Sequence, residues 1–269
     1  GDVRDKDRLE LAIRNVDIVF HAAAMKHIDI CEENPFDAVK TNVIGTSNIL
    51  EASLLENVSK FILISTDKST NPTTTLGASK LLAERLTLNA NVYTGRGKTI
   101  FSVVRFGNVI GSRGSVFQIF LNQIRNNQSL TVTDKKMTRY IMSISDAAMM
   151  ILKVTKITKD REIFILKMPS IKIEDLARGM IQVYKKEFHN TNLSKIKFSN
   201  SRNHERLDEF LITEEERRFC HDIGDMYKIS KNINKKILAF DEFNSKTAPS
   251  ISQTELKRIL SELIKYYLN

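Results

Sequence analysis

The sequence predicts an α/β fold, a mainly parallel sheet followed by a smaller C-terminal lobe, and two observations carry that prediction. Short apolar runs bounded by turn residues alternate with longer amphipathic stretches, the pattern of strands and helices in successive βα units. A chain of 269 residues, 42% of them hydrophobic, is also long enough to bury a substantial core.

The elements follow in order. Val16–Ala23 is a buried-type strand, Pro35–Glu56 a long helical stretch interrupted weakly by Gly45, and Lys60–Asp67 the next strand. Leu76–Ala90 reads as a helix and Thr99–Asn108 as a third strand that runs into a glycine-containing loop. Ser115–Asn126 is helical, Leu130–Thr133 a short strand, Ser145–Thr155 a helix and Glu162–Met168 another strand. The pattern then changes, with a helix over Ile173–Phe188, a strand over Lys195–Ser199, a charged helix around Thr213–Phe219 and an amphipathic helix from Ser252. The polar segment Asp241–Ser252 is the best linker candidate and reads as surface loop.

Composition narrows the function classes. The 41 Lys and Arg against 32 Asp and Glu give a formal charge of +9, which favours anionic partners. No basic-aromatic repeat suited to stacking bases occurs, so a nucleic-acid partner is not expected. Cys31 and Cys220 stand far apart without clustered His or Cys spacing, so neither a disulfide framework nor a metal site is expected. No apolar run approaches the length of a membrane span, and a cytoplasmic setting is expected.

The most informative segment is ISTDKSTNPTTTLGASK, Ile64–Lys80. A hydrophobic strand ends there in Ser65, Thr66, Asp67 and Lys68, and ligands of open parallel sheets sit beyond the carboxyl ends of strands. The run offers a hydroxyl, a carboxylate that can exchange a proton and an amine whose pKa can fall on desolvation. Leu76 and Lys80 stand four apart at the start of a helix, hence on one face.

With GDVRD at Gly1, HAAAMKH at His21, ENPFDAVKTNVIGT at Glu33, STDK at Ser65, GASK at Gly77 and VRFGNVIGSRGSV at Val104 in one order, the chain resembles the extended short-chain dehydrogenase/reductases. VTDKKMTRYIMSISDA at Val132 and EIFILKMPSIKIEDLA at Glu162 extend the resemblance to their polysaccharide-biosynthesis branch, which includes UDP-N-acetylglucosamine 4,6-dehydratases and sugar epimerases. The resemblance implies a Rossmann-like doubly wound parallel sheet lacking its first strands. Residues 1–168 are then the dinucleotide-binding domain, with 110–140 contributing to the substrate site, and 169–269 the substrate-binding lobe and C-terminal helix.

The resemblance also implies roles. Thr66, Asp67, Lys68 and Lys80 are the catalytic candidates: Asp67 as the acid for a leaving hydroxyl, Lys68 as the base at sugar carbon 5, Thr66 as a relay at oxygen 4. Lys80 matches the family lysine that binds the nicotinamide ribose, while the family's tyrosine position holds Leu76, which cannot exchange a proton. NADP or NAD is the implied cofactor, contacted by Asp2, Val3, Ala22, Ala23, Ala24, Thr41, Ser65, Lys80 and Val109. A UDP-sugar is the implied substrate, met by Lys26, Asn108, Arg139, Arg202 and Glu205. Arg202 lies in SRNHERLDEF, where Asn203 and His204 depart from the family pattern. The loop GNVIGSRG, Gly107–Gly114, is assigned to the sugar nucleotide rather than to a phosphate-binding glycine loop.

The family's TGxxGxxG loop does not occur in these residues, so the sequence reads as an N-terminally truncated member, and weak or no NADP binding is expected of it. A homo-oligomer through the helices at Pro35–Glu56 and Leu76–Ala90 is also implied. The favoured activity is a UDP-N-acetylglucosamine 4,6-dehydratase, with inversion at carbon 5 one outcome. A UDP-sugar epimerase, or a non-catalytic partner-binding remnant given Leu76 and the absent loop, stands as the alternative.

Overall fold

A computed structural model describes all residues except 95–97, 189–194, 200–204, 232, 234–235 and 269. The chain forms two compact units from interleaved segments: Gly1–Phe106, Ala148–Lys167 and Phe210–Phe240 make the first, and Gly107–Ala147, Met168–Glu209 and Asp241–Asn269 the second. The boundary expected after residue 168 lies beside one junction, Lys167 to Met168, and the segment Gly107–Ala147 also belongs to the second unit.

The first unit is built on a six-stranded sheet in the order Ile18–His21, Lys60–Thr66, Ile100–Phe106, Glu162–Leu166, Met226–Ile229, Cys220–Asp222. The first four strands are parallel. Phe61, Ile62, Leu63, Val103, Val104 and Phe164 are buried along the central strands, each worth about 1.5–3 kcal/mol of transfer free energy. Ile18–His21 is an edge strand whose residues alternate, Val19 and His21 buried and Ile18 and Phe20 exposed.

The last two strands run antiparallel and follow a segment expected to be helical. Around Thr213–Phe219 only a short 3-10 turn forms, Glu216–Phe219. The Glu216 carboxylate accepts from the Thr213 backbone N–H at 3.0 Å and is drawn inward to Arg105. The chain then enters a hairpin turned by Gly224 at φ +96°, where glycine has no Cβ penalty.

The helical stretch after Pro35 is continuous but changes pitch. An α-helical turn at Pro35–Ala38 passes into a π-helical segment, Val39–Ile44, and then into the helix Gly45–Leu55. Such π-turns occur often at functional sites. A Cβ on Gly45 would lie 2.6 Å from Val3 Cγ2, so glycine lets the N-terminal segment close on this helix, where the Val3 carbonyl accepts from Asn48 Nδ2 at 3.1 Å.

The second unit pairs Asn108–Val109 with Thr138–Met142, and the latter with Ser170–Lys172, over an apolar core. Helices Val116–Arg125, Ile173–Phe188 and Gln253–Leu268 bury Phe117, Phe120, Leu176, Met180, Leu256 and Leu260 there. Gly179 permits close helix packing, since a Cβ would meet Leu260 Cδ1 at 3.1 Å. The polar segment after Asp241 is not a slack linker: Phe243 and Ser245 are fully buried, and the Ser245 N–H donates to the Glu209 carbonyl.

Candidate active site

The strand Lys60–Thr66 ends in a 3-10 turn, Asp67–Ser69, capped by Thr66 Oγ1. The turn follows from its residue types: Ser69 Oγ lies 2.7 Å from the Thr66 carbonyl, and the single proton of the Thr70 hydroxyl is shared between the carbonyls of Asp67 and Phe210. Small hydroxyl side chains thus satisfy the backbone of a tight reversal.

Asp67 is fully buried. Its Oδ1 accepts from Thr66 Oγ1 at 2.8 Å and Lys68 Nζ at 3.1 Å. Its Oδ2 is buried with no hydrogen-bond partner among the described residues. A carboxylate oxygen is costly to leave in that state, so the arrangement reserves one oxygen for a proton or a ligand.

Lys80 projects from the helix Thr75–Thr94. It is 6% exposed, and Nζ donates to the Ile64 carbonyl at 2.7 Å, one of the three donors an ammonium carries. Burial pulls its pKa down to about 8, against the opposing pull of Glu84. Beside it in charge, His21 is buried, lies 2.9 Å from Thr46 Oγ1 through Nε2, and is pushed down to about 4 by burial and by Lys80.

Three residues that sequence reasoning missed hold this frame. Asn42, in the π-helical segment, spans the chain after the edge strand: Oδ1 accepts from the Met25 N–H at 2.8 Å, and Nδ2 donates to the Met25 carbonyl at 3.0 Å and to Ser79 Oγ at 2.9 Å. Glu32 accepts from the Thr75 N–H at 2.6 Å and from Thr75 Oγ1 at 3.1 Å, a carboxylate at a helix N-terminus. Glu84 lies behind the turn and accepts from Ser65 Oγ and Ser69 Oγ at 2.5 and 2.7 Å. Asn42 lies inside the motif ENPFDAVKTNVIGT, whereas Glu32 and Glu84 lie outside the quoted motifs, and as residue types all three read as helix surface.

Leu76 is 4% exposed and packs with Cys31, Ala38, Met25 and Ile28. Its side chain belongs to the apolar packing under the helix, where a proton-exchanging group would be unsolvated.

The other first-unit candidates are placed as follows. Asp2 is exposed and chelated by Arg4 through Nε at 3.0 Å and Nη2 at 2.6 Å, which holds its carboxyl down at about 2. Val3 and Thr41 are half-buried, Ala22 and Ala23 exposed and Ala24 half-buried just past the edge strand, and Lys26 exposed. The Ser65 hydroxyl is committed to Glu84.

In the second unit, Asn108, Val109 and Arg139 line one cavity with Ser115, Phe117 and Ile141. Asn108 Oδ1 and Ser115 Oγ are buried without hydrogen-bond partners among the described residues. Arg139, expected to contact the substrate, is anchored within its own unit: Nη1 donates to the carbonyls of Thr138 at 2.7 Å and Leu207 at 3.1 Å, Nη2 to Arg206 at 2.8 Å, and Nε stands 3.6 Å from Glu209. Glu205 is half-buried. Arg202, like Asn203 and His204, lies outside the described residues. The loop glycines serve the turn: Gly111 and Gly114 have φ +76° and +70°, and a Cβ on Gly111 would strike Leu263 at 2.8 Å.

No helix among the described residues is long and apolar enough to cross a membrane. The polysaccharide biosynthesis protein family pattern matches residues 1–231. The chain is 49% identical over 269 residues to an uncharacterized membrane protein of Methanocaldococcus jannaschii, spanning 98% of this chain and 80% of that one. It is 35% identical over 275 residues to a UDP-glucose 4-epimerase of Rickettsia bellii, covering 98% and 79%. Against the inverting UDP-N-acetylglucosamine 4,6-dehydratase of Campylobacter jejuni it is 41% identical over 234 residues, covering 87% and 67%. The solved structure of Pen from Bacillus thuringiensis superposes with a TM-score of 0.90 at 40% identity, covering 98% of this chain and 80% of that chain. With the parallel sheet, the strand-end Thr-Asp-Lys turn and the buried helical lysine, these matches make the chain a member of the polysaccharide biosynthesis protein family.

Proposed function

We propose that this protein is a nucleotide-sugar 4,6-dehydratase acting on UDP-N-acetylglucosamine with NADP or NAD. The carrying observation is Asp67: a fully buried carboxylate with one oxygen bonded to both Thr66 and Lys68 and the other unpartnered among the described residues. An acid that delivers a proton to a departing hydroxyl needs such a reserved oxygen.

The residues fit a nicotinamide cofactor. Lys80 keeps donors beyond its bond to Ile64 and is nearly enclosed, while small Ala22 and Ala23 stand open past the edge strand. Asp2, Val3, Ala22–Ala24, Thr41, Ser65, Lys80 and Val109 remain the candidate contacts. When bound, the cofactor supplies a reversible two-electron oxidation of the sugar and ends unchanged.

The chain's own residues do the proton work. Thr66 hands on the proton from the carbon 4 hydroxyl. From the tautomer of the Asp67–Lys68 pair in which the carboxyl is protonated and the amine neutral, Lys68 removes the carbon 5 proton, acidified by the neighbouring ketone, Asp67 protonates the carbon 6 hydroxyl as its C–O bond breaks, and carbon 5 regains a proton from solvent as carbon 6 takes back the two electrons removed from carbon 4. Water is the net loss. Positioned transfers of this kind are worth about 10²–10⁴-fold each. Lys80, whose pKa burial lowers to about 8, orients the ribose. In the second unit Asn108, Arg139 and Glu205, with Lys26 in the first and Arg202, stay candidates for substrate contact.

A 4-epimerase is the second reading, favoured by the Rickettsia relative. Incubating the complete protein with UDP-N-acetylglucosamine and NADP or NAD, then weighing the product, separates the two. Loss of one water supports the dehydratase; an unchanged mass with altered chromatographic mobility supports the epimerase.

A further inference from the structure

A closed charge cluster lies behind the Asp67–Ser69 turn. Glu84 follows Lys80 by one turn of the same helix and is 1% exposed. Besides Ser65 and Ser69, it accepts from Arg105 Nε at 3.1 Å and Nη2 at 2.6 Å. Arg105, fully buried on the strand Ile100–Phe106, also donates to Glu216 at 2.9 and 3.1 Å and to the Leu211 carbonyl at 3.0 Å.

Buried ion pairs offset their desolvation only with good geometry and satisfied neighbours. Glu84 and Glu216 both meet that requirement for Arg105, but they differ in one respect. Glu84 also grips Ser65 and Ser69, the residues on either side of Thr66, Asp67 and Lys68, and the Ser69 hydroxyl lies 2.7 Å from the Thr66 carbonyl as well. Glu216 instead holds the Thr213 N–H.

We propose that Glu84 is a positioning residue for the reaction: it clamps the Ser65–Ser69 segment to the helix that carries Lys80, so that turn and ammonium share one rigid frame. The inference rests on the dehydratase reading above. Its carboxylate also favours the charged form of Lys80 against burial. Elements packed against this helix also carry Asp29, Cys31, Glu32, Glu33, Asp37, Lys40, Glu51, Lys60, Asp67, Lys68 and Arg105, and His21 feels the charge of Lys80. Of these, His21 is kept neutral by burial and Arg105 is paired.

The test compares Glu84→Gln with Glu216→Gln in the complete protein. Each removes one charge from Arg105, but only the first touches the turn. Glu84→Gln should lower kcat about tenfold or more with little change in KM. It should also move the alkaline limb of the pH profile, and the ε-13C NMR titration of Lys80, to lower pH. Glu216→Gln should move neither limb nor titration, even if it melts at a similarly reduced temperature. Should Glu84→Gln fail to fold, Ser69→Ala removes one arm of the clamp and should lower kcat without moving the Lys80 titration. Identical profiles for Glu84→Gln and Glu216→Gln, or an unchanged kcat in Ser69→Ala, would overturn the inference. A wild-type protein without turnover of any UDP-sugar counts against the dehydratase reading, and the Lys80 titration then decides whether Glu84 sets the ammonium.

Discussion

Asp67 and Lys80 are the residues on which the chemistry turns, and each can be tested by a small change. Asp67→Asn keeps volume and most hydrogen bonds but cannot donate the proton, so turnover should fall about 10²–10⁴-fold while the melting temperature stays near that of the wild type. Lys80 is lowered from 10.5 to about 8. Between these values the unfolded chain binds a proton that the folded chain does not, so stability rises with pH through this window, by about 3 kcal/mol in full. Urea melts of wild type against Lys80→Met should therefore show the wild type gaining relative stability from pH 8 towards 10.5. His21, lowered from 6.5 to about 4, works at the other end: its contribution is complete above 6.5 and is lost as pH falls towards 4. His21→Asn should flatten that acid limb.

At the scale of elements, the helix Thr75–Thr94 must approach the Asp67–Ser69 turn closely, and Gly77 is what allows it. A Cβ there would lie 2.4 Å from the Lys68 carbonyl oxygen and 3.0 Å from Pro72 Cβ. Gly77→Ala should push the turn away, at a cost of about 1–3 kcal/mol, and reduce turnover more than its melting temperature alone would explain. Leu76→Tyr should restore nothing: the side chain is enclosed with Cys31 and Ala38, so the larger ring overpacks the helix, and the measured result should be a lower melting temperature without added activity. The turn itself was legible in the sequence because Thr66, Asp67 and Lys68 are contiguous and Lys80 follows at helical spacing. Asn42, Glu84 and Arg105 were not, since their partners lie tens of residues away and nothing local marks them as buried.

For the whole molecule, the parallel strands and most helices could be read from apolar periodicity, whereas the way segments interleave into two units could not. The hairpin Cys220–Asp222 and Met226–Ile229 extends the sheet against Glu162–Leu166, and its short strands carry too few residues for period-two alternation to outweigh the charged run before them. The same non-local logic brings Arg105 to Glu216, a pairing across more than a hundred residues.

The most direct test of the account is to run the complete protein with UDP-N-acetylglucosamine and cofactor in heavy water and weigh the product. The product should have lost one water and carry solvent deuterium at carbon 5, and its formation should slow about 10²–10⁴-fold in Asp67→Asn. A product that keeps its carbon 6 oxygen, or dehydration that proceeds at the wild-type rate without the Asp67 carboxyl, would contradict it.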